Sequence, residues 1–205
     1  MDIFLIRHGQ STGNGRRCFM GWSDHPLTEL GRAQARAVAE RLAARGPLPV
    51  VCSDLLRTRE TAELIAARWH GEIQPDARWR EVHCGQFEDR PWDEFSALPE
   101  LSAQFDADPL GAVMPGGESV AMMIARVTEA FIALLACSDA GIIIVTHDGP
   151  IRAVLAHCLH IPPERFWTLT TDHCGLTHLS VNEQWISIRT INDTSHLAGN
   201  AECGV

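Results

Sequence analysis

The sequence has no Cys-x-x-Cys pair, although it contains seven cysteines. They are scattered and odd in number, which argues against both a disulfide framework and a zinc knuckle. We therefore expect most of them to be small buried apolar residues. The sequence also lacks an apolar run of membrane-spanning length, and its N-terminus lacks the basic segment and apolar core of a secretion signal. A cytoplasmic protein is the simplest interpretation.

Positive charge is scarce, since 17 Lys and Arg residues face 26 Asp and Glu residues and the net charge is −9. Nucleic acids and anionic membranes need a positive surface, so neither is expected as a partner. A phosphate site would have to be locally basic. Linkers and low-complexity tracts are also lacking, and 205 residues are enough for one sizeable core. We therefore predict a single domain over residues 1–205.

The most informative stretch is residues 3–14, where an apolar run stops at a cation and an imidazole. Residues 3–6 predict a buried strand of a parallel sheet. Ligands of open α/β sheets bind beyond the carboxyl ends of the strands, where Arg7 and His8 follow. Ser11 and Asn14 add donors around a glycine turn that could seat an anion. The stretch indicates an oxyanion site with a nucleophile or base, but a surface Arg-His pair fits it equally well.

A second strand repeats this arrangement. Residues 141–146 are continuously apolar and β-branched, which predicts a central parallel strand. His147, Asp148 and a glycine turn follow, and a helix is predicted to begin near Pro150. Two strands therefore deliver two histidines.

Between these strands, helical periodicity starts at Glu29 with Thr28 as its cap, and residues 48–52 predict another strand. Ser53 and Asp54 then form a predicted cap for a helix that carries Arg57 in its first turn. A cation at a helix N-terminus is electrostatically misplaced unless an anion lies opposite. Arg57 is therefore a candidate phosphate ligand, with a solvated surface arginine as the alternative.

The later segments have weaker patterns. Glu81 lies among apolar and aromatic neighbours, where desolvation raises a carboxyl pKa and suits a general acid, although an ordinary surface carboxylate fits as well. Residues 91–115 predict short helical pieces and loops over a pocket. Ile73 could end a short strand, residues 176–181 and 185–191 predict an edge hairpin, and the tail beyond Asn192 is predicted to be mobile.

Arg7, His8, Arg57, Glu81 and His147 are together what phosphoryl transfer to a side chain requires, without a metal. At this point the sequence resembles the histidine phosphatase superfamily, or phosphoglycerate mutase-like family, over nearly its whole length. The motifs are Leu-Ile-Arg-His-Gly at 5–9, Pro-Leu-Thr-x-x-Gly at 26–31, Ser-Asp-Leu-x-Arg-x-x-x-Thr-Ala at 53–62 and Pro-Gly-Gly-Glu-Ser at 115–119. The resemblance implies an α/β three-layer sandwich with a mostly parallel central sheet flanked by helices.

The resemblance also implies roles for individual residues. His8 would be the nucleophile and Glu81 the proton donor. The implied phosphate pocket comprises Arg7, Asn14, Arg57, His147 and Asp148. Of these, Arg7, Arg57 and His147 are also expected to take part in catalysis. Substrate contacts are expected from Gln10, Ser11, Gly21 and Trp22. Two positions depart from the family pattern: Trp79 replaces a common leucine, and Asp148 replaces a glycine, where its charge would repel phosphate unless the side chain points away.

Residues 81–88 follow the pattern Glu-x-x-x-Gly-x-x-Glu, which resembles the phosphatase form of the family. Mutases instead carry an Arg-His-Tyr-Gly segment and an added cap. We therefore expect a phosphomonoesterase that hydrolyses a small phosphorylated metabolite through a phosphohistidine, with no cofactor and no metal. A cofactor-dependent phosphoglycerate mutase and a noncatalytic phospho-ligand-binding module are the alternatives. A metal site is a weaker one, because no histidine pair has helical ligand spacing with a carboxylate partner.

Substrate and assembly stay open at this point. Residues of about 84–115 are expected to form a variable cap over the active site, and sugar phosphates, phosphoserine, α-ribazole phosphate and nucleotides all fit the family. His25, His83 and His173 are candidates for the pocket mouth and Trp22 and Trp92 for substrate contact, with surface or packing roles as the default. Arg80 could aid an anionic substrate or face water. The predicted edge hairpin leaves a homodimer open.

Overall fold

The computed structural model describes residues 1–137, 141–183 and 185–198. Its strands are β1 (Asp2–Arg7), β2 (Val50–Cys52), β3 (Ile73–Pro75), β4 (Ile142–Thr146), β5 (Leu176–Val181) and β6 (Ile186–Asp193). Its helices are α1 (Glu29–Ala43), α2 (Leu56–Ala66), α3 (Trp92–Ser96), α4 (Pro99–Ala107), α5 (Val120–Cys137) and α6 (Asp148–Leu159). Short 3₁₀ turns lie at Asn14–Arg16, Ala67–Trp69, Ala77–Trp79, Gly85–Phe87, Pro163–Thr168 and Ser195–Leu197.

The strands form one sheet in the order β3-β2-β4-β1-β5-β6. The pairs β1 with β4, β2 with β4 and β2 with β3 are parallel, whereas β5 pairs antiparallel with both β1 and β6. The predicted mostly parallel sheet and edge hairpin are confirmed. Arg7 of β1 lies opposite Thr146 of β4, so the residues that follow, His8 and His147, leave the sheet side by side.

Helices cover both faces of the sheet, which explains why β1 and β4 are apolar at every position rather than at alternate ones. Ile3, Leu5, Ile142 and Ile144 belong to the core cluster that also contains buried side chains of α5 and α6. Phe4, Ile6, Ile143 and Val145 belong to the cluster with α1 and α2. Trp79, the departure from the family's leucine, is 1% exposed and fills the first cluster.

The predicted helix starts have mixed outcomes. Thr28 caps α1 as predicted, its Oγ1 accepting from Gly31 N at 3.0 Å. Ser53 and Asp54 do not cap α2, because Asp54 is ion-paired with Arg80 and Ser53 Oγ lies beside His147. Instead Leu56 N donates to Asp24 Oδ1 at 2.8 Å, from a loop far earlier in the chain.

Helix α6 begins two residues before the predicted Pro150, which lies in its first turn. A proline is tolerated there because the first helical N–H groups have no partner inside the helix. His147 is the residue directly before this helix, and Asp148 is the first helical residue.

The prediction of a mobile tail beyond Asn192 is wrong for residues 193–198. Strand β6 continues to Asp193, His196 Nε2 lies 3.0 Å from the carbonyl oxygen of Cys174, and Leu197 packs against the cluster under α1. Residues 199–205 lie outside the described residues, as do the side chains of Cys137 and Cys203. Cys18, Cys52, Cys84 and Cys174 are buried, as expected, and Cys158 is partly exposed. No helix in the described ranges is long and apolar enough to cross a membrane.

Candidate active site

A cavity of about 350 Å³ opens at the carboxyl ends of β1 and β4. It brings together seven of the predicted site residues: Arg7, His8, Asn14, Arg57, Glu81, His147 and Asp148. His173, Trp92, Cys18 and Met20 complete its walls. The sequence separation of these residues shows that the sheet topology assembles the site, since the loops after different strands meet at one edge.

Hydrogen bonds fix both the backbone of His8 and the ring nitrogen that carries its proton. Its backbone N donates to Thr146 O at 2.9 Å, which extends the pairing of the two strands. Its ring Nδ1 lies 2.8 Å from Gly9 O, and because a carbonyl oxygen can only accept, Nδ1 carries the proton. The lone pair is therefore on Nε2. Burial, followed by the charges of Arg57 and Arg7, holds the pKa of His8 well below its ordinary value, so the ring is neutral near neutral pH.

His147 lies close to His8, with ring centroids 5.2 Å apart and an edge-to-face angle of 64°. Its Nε2 is 3.0 Å from Ser53 Oγ, and its buried Nδ1 has no hydrogen-bond partner among the described residues. Burial lowers the pKa of His147 well below the usual value, with Arg57 as the next contribution. The hydrogen-bonded ring nitrogen is thus Nδ1 in His8 and Nε2 in His147.

Arg57 is fixed by backbone carbonyls rather than by carboxylates. Its Nη1 donates to Ser23 O and its Nη2 to Gly21 O, both at 2.8 Å. Burial lowers the pKa of Arg57 to about 10, which leaves the guanidinium charged at neutral pH. Arg7 likewise donates to the carbonyl oxygen of Thr171. Neutral acceptors hold both side chains without cancelling their charge, so the positive charge remains available to an anion.

Buried nitrogens without partners concentrate at this cavity. Within the described residues, six buried side-chain nitrogens lack a hydrogen-bond partner, and the cavity residues supply Arg7 Nε, Arg57 Nε, His147 Nδ1 and His173 Nε2. Unpaired buried polar atoms are costly and therefore rare in native proteins. Their clustering indicates that the cavity is built for a ligand with several acceptor oxygens.

Asn14 and Asp148 contribute differently from each other. Asn14 Oδ1 accepts from both Ser11 N at 2.7 Å and Ser11 Oγ at 2.8 Å, so its amide N–H₂ is the end left for the cavity. Asp148 Oδ1 accepts from Thr171 N and Oγ1, and Oδ2 is ion-paired with Arg152 at 2.6 Å. Both oxygens of the Asp148 carboxylate are thus engaged within the protein, and Arg152 provides its counter-charge. The N-terminus of a helix, such as the start of α6, favours an anion.

Glu81 lies across the cavity with both carboxyl oxygens fixed. Oε1 accepts from Val82 N at 2.8 Å and Oε2 from Gly149 N at 3.0 Å. A Cβ at position 149 would lie 2.3 Å from Oε1, so this approach requires glycine. Burial raises the pKa of Glu81 and outweighs the two hydrogen bonds that lower it. A carboxyl group with a raised pKa is suited to donate a proton.

Two supporting side chains are not among the predicted site residues: Glu88, which ends the Glu-x-x-x-Gly-x-x-Glu pattern of residues 81–88, and Arg126. Glu88 accepts from Gly21 N, Trp22 N, Ser23 N and Cys84 N, which ties the loop holding Arg57 to the segment after Glu81. Arg126 donates to Arg80 O at 2.7 Å and Glu81 O at 2.8 Å and is ion-paired with Glu118. Its signal was available, since Arg126 is the one basic residue in the apolar sequence of α5.

The four predicted substrate contacts, Gln10, Ser11, Gly21 and Trp22, do not line the described cavity, and each has a hydrogen-bond partner in the protein. Thr28 Oγ1 donates to Gln10 Oε1, Gly21 O accepts from Arg57, and Trp22 Nε1 donates to Glu81 O at 2.8 Å. The fourth, Ser11, orients Asn14 as described above. Each of these residues supports a cavity residue or the loop beside it.

Of the remaining candidates, His173 and Trp92 line the described cavity, whereas His25 and His83 do not. His173 lines the cavity 5.6 Å from the His8 ring, and burial followed by Arg7 lowers the pKa of His173 to about 4. Trp92 also lines it. His25 is buried against Asp89, and His83 stacks near Trp22 with centroids 4.4 Å apart.

The described residues contain no cluster of three or more His, Cys, Asp or Glu side chains able to hold a metal. A larger cavity of about 650 Å³ lies on another side, between β2, β3 and α5. Its ionisable lining residues, Asp76 and Arg78, are paired with each other. The chemistry is therefore concentrated at the edge of the sheet that carries His8.

Comparisons with known proteins agree with the fold. The profile described as histidine phosphatase superfamily (branch 1) matches residues 3–194. A probable phosphoglycerate mutase GpmB of Yersinia enterocolitica is 31% identical over 204 residues, covering 96% of this chain and 95% of the relative. A putative α-ribazole-5'-P phosphatase from Escherichia coli superposes with a TM-score of 0.87 at 26% identity, covering 94% and 96%. A mycobacterial glucosyl-3-phosphoglycerate phosphatase complexed with VO3 gives 0.82 at 30% identity, covering 94% and 99%.

Proposed function

Because the chain belongs to the histidine phosphatase superfamily, we propose that it is a metal-independent phosphomonoesterase that acts through a phosphohistidine on His8. One observation carries the proposal: a neutral His8 ring, its Nδ1 tied to Gly9, is surrounded by unpartnered nitrogens of Arg7, Arg57 and His147. Such an arrangement suits a nucleophile that attacks a phosphorus atom whose oxygens the neighbouring groups bind.

In the first step His8 Nε2 attacks phosphorus, a P–N bond forms, and the P–O bond to the alcohol breaks. Glu81 gives its proton to the departing oxygen, so the alcohol leaves neutral. Arg7 and Arg57 bind the phosphoryl oxygens, whose charge develops in the transition state. The hydrogen bond from His8 Nδ1 to Gly9 O supports the positive charge that the ring acquires.

In the second step the Glu81 carboxylate takes a proton from water, and the water oxygen attacks phosphorus. The P–N bond breaks, inorganic phosphate leaves, and His8 returns to its neutral form with Glu81 protonated. One side chain thus serves as acid and then as base, which requires a carboxyl pKa near the working pH. The raised pKa of Glu81 supports that assignment.

A phosphoglycerate mutase is the second candidate, favoured by the names of curated relatives such as GpmB. A mutase would pass the phosphoryl group from His8 to a second hydroxyl of a phosphoglycerate instead of to water. The test is interconversion of 3- and 2-phosphoglycerate in the presence of the bisphosphorylated acid. Conversion faster than phosphate release would replace the phosphatase assignment with a mutase.

The direct test is phosphate release from a generic aryl phosphate at mildly acidic to neutral pH with a chelator present. We expect the native protein to release phosphate and His8→Ala to release none above background. His157→Ala, at an exposed position on α6, is the matched control and should keep the activity. Equal turnover in native protein and His8→Ala would contradict the proposal, and inert proteins throughout would favour a noncatalytic phospho-ligand-binding module.

A further inference from the structure

The active-site cavity continues beyond Glu81 into two further cavities. A cavity of about 320 Å³ shares the walls Cys18, Met20, Glu81, Trp92 and Asp148 with the phosphate pocket. A third, of about 270 Å³, shares Phe19, Val82, Cys84, Val120 and Trp167 with the second. The shared walls place the three in a row, and we call the second and third together the leaving-group cavity.

The walls of the leaving-group cavity are mostly apolar. Phe19 lines both of its parts, and Phe105, Pro109, Ala112 and Met114 add apolar surface in the third cavity. Phe19 is itself backed by Phe95, with ring centroids 5.6 Å apart, and Phe95 by Phe105 at 5.2 Å. An aromatic wall packed this way presents a preformed apolar surface to a ligand.

The leaving-group cavity also lacks positive charge. Among its described lining residues there is no arginine, and the sequence contains no lysine. The imidazole of His83 stacks on Trp22, while the carboxylate of Glu118 is paired with Arg126.

Two arginines lie over rings of the wall, Arg17 over Trp92 at 6.0 Å and Arg152 over Trp167 at 5.2 Å, and Arg152 is paired with Asp148. A carboxylate or second phosphate on the substrate would find no counter-charge among the described lining residues, and burying an unpaired charge is costly.

Glu81 fixes which part of the substrate this cavity receives. Its side chain belongs to the wall common to the phosphate pocket and the second cavity. A proton donor must lie beside the oxygen that leaves, so the group attached to that oxygen extends past Glu81. The alcohol portion of the substrate therefore enters the leaving-group cavity, between the half-exposed Trp92 and Trp167.

We propose that the substrates are phosphomonoesters of uncharged, apolar alcohols, aromatic or alkyl, whose alcohol portion binds in the leaving-group cavity. This inference rests on the proposed function, since it assigns the leaving group of the same reaction. The volumes suit a ring system or a chain of several carbons rather than a macromolecule. Phosphate esters that carry a second anion are the disfavoured class.

The test compares kcat/KM of the native protein for n-alkyl phosphates from methyl to hexyl, 1-naphthyl phosphate, glycerol 3-phosphate and 3-phosphoglycerate. We expect kcat/KM to rise roughly two- to fourfold per added methylene until the cavity is filled, because each buried methylene gains free energy on leaving water. Naphthyl phosphate should be among the best substrates. 3-Phosphoglycerate should be poorer than the uncharged ester of similar size.

A paired substitution locates the effect. Ala112→Trp fills the third cavity and should reduce the hexyl-to-methyl ratio of kcat/KM about tenfold, because the longer chain loses its apolar contacts. Ala103→Trp makes the same change at an exposed position of α4 and should leave the ratio as in the native protein.

The outcomes separate the two proposals. A flat alkyl series, or a preference for 3-phosphoglycerate, with hydrolysis that still requires His8, overturns the apolar leaving group and leaves the phosphatase intact. Absence of His8-dependent hydrolysis for every ester overturns the proposed function itself. Equal loss of the ratio in Ala112→Trp and Ala103→Trp would also contradict the assignment of the third cavity.

Discussion

The strands β1 and β4 end in the same way, but the histidines that follow them have different hydrogen-bond partners. Each strand is buried, ends in a polar residue and delivers an imidazole into one cavity. His8 uses Nδ1 to donate to its neighbour's carbonyl, whereas His147 uses Nε2 beside the Ser53 hydroxyl. Strand position therefore brings each histidine to the site, and the hydrogen-bond partner of one ring nitrogen determines which nitrogen is left to react.

The difference has a chemical reason. A carbonyl acceptor fixes the proton on His8 Nδ1 and leaves a lone pair on Nε2, as a nucleophile requires. A hydroxyl can donate or accept, so Ser53 lets His147 keep a proton on Nδ1, its buried nitrogen without a described partner. His147 is then suited to donate to a phosphoryl oxygen rather than to attack phosphorus.

The largest expected effect distinguishes the roles of the two histidines. We expect His8→Asn to lower kcat for aryl phosphate by at least about 10⁴-fold, since no other nucleophile replaces it. His147→Asn should cost only about 10²- to 10³-fold, the usual loss for one donor to a developing charge. Steady-state kinetics on both variants decides the matter, and a larger loss for His147→Asn contradicts the assignment.

Glu81 provides the next largest effect, and it depends on the leaving group. Glu81→Gln should lower kcat/KM for an alkyl phosphate by about 10²- to 10⁴-fold, because the alkoxide needs a proton, and far less for p-nitrophenyl phosphate. Since the pKa of Glu81 is raised, native activity on alkyl esters should fall as pH rises through that pKa. Equal losses for both esters, or an unchanged pH profile in Glu81→Gln, would exclude Glu81 as the acid.

Ser53→Ala tests the same difference between the two histidines, with a smaller expected loss of kcat. It removes the hydroxyl beside His147 Nε2 and should lower kcat about three- to tenfold, the equivalent of about one hydrogen bond. The phosphohistidine on His8 should still form in rapid-quench experiments. If phosphorylation disappears in Ser53→Ala while the fold is kept, the hydroxyl acts on His8 and the two histidines are not independent.

The smallest effect concerns stability at a third histidine of the site. The pKa of His173 is lowered from 6.5 to about 4, so between these values only the unfolded chain binds its proton. The free energy of unfolding should therefore fall as pH drops from 7 to 5, and His173→Gln should lose about 1 to 2 kcal/mol less over that interval. Urea denaturation at both pH values measures this, and parallel losses in both proteins would contradict it.

The sequence predicts the parts of the site that follow from local patterns. Continuous apolar runs identify β1 and β4, and parallel strands bring their carboxyl ends together, which places His8 beside His147. The Thr28 cap and the position of Arg57 in the first turn of α2 are equally local. These patterns reveal the fold because burial of both sheet faces leaves little choice of residue.

Long-range contacts account for what the sequence could not reveal. Ser53 and Asp54 have cap-forming side chains, but His147 and Arg80 engage them, and Asp24 takes over at Leu56. Arg126 stands out as the one basic residue of α5, but the carbonyl oxygens of Arg80 and Glu81 that it contacts belong to a distant segment of the chain. The leaving-group cavity depends on how residues 82–120 fold back over Phe19, which no period in that segment predicts.

The most direct test of His8 as the nucleophile is to map the phosphorylated residue. The native protein is mixed with an aryl phosphate, quenched within milliseconds under conditions that preserve phosphohistidine, and its peptides are analysed by mass spectrometry. We expect phosphate on His8 that decays at a rate consistent with turnover, and no phosphate in His8→Asn. Phosphate on His147 or His173, or full turnover with no phosphorylated histidine, would contradict it.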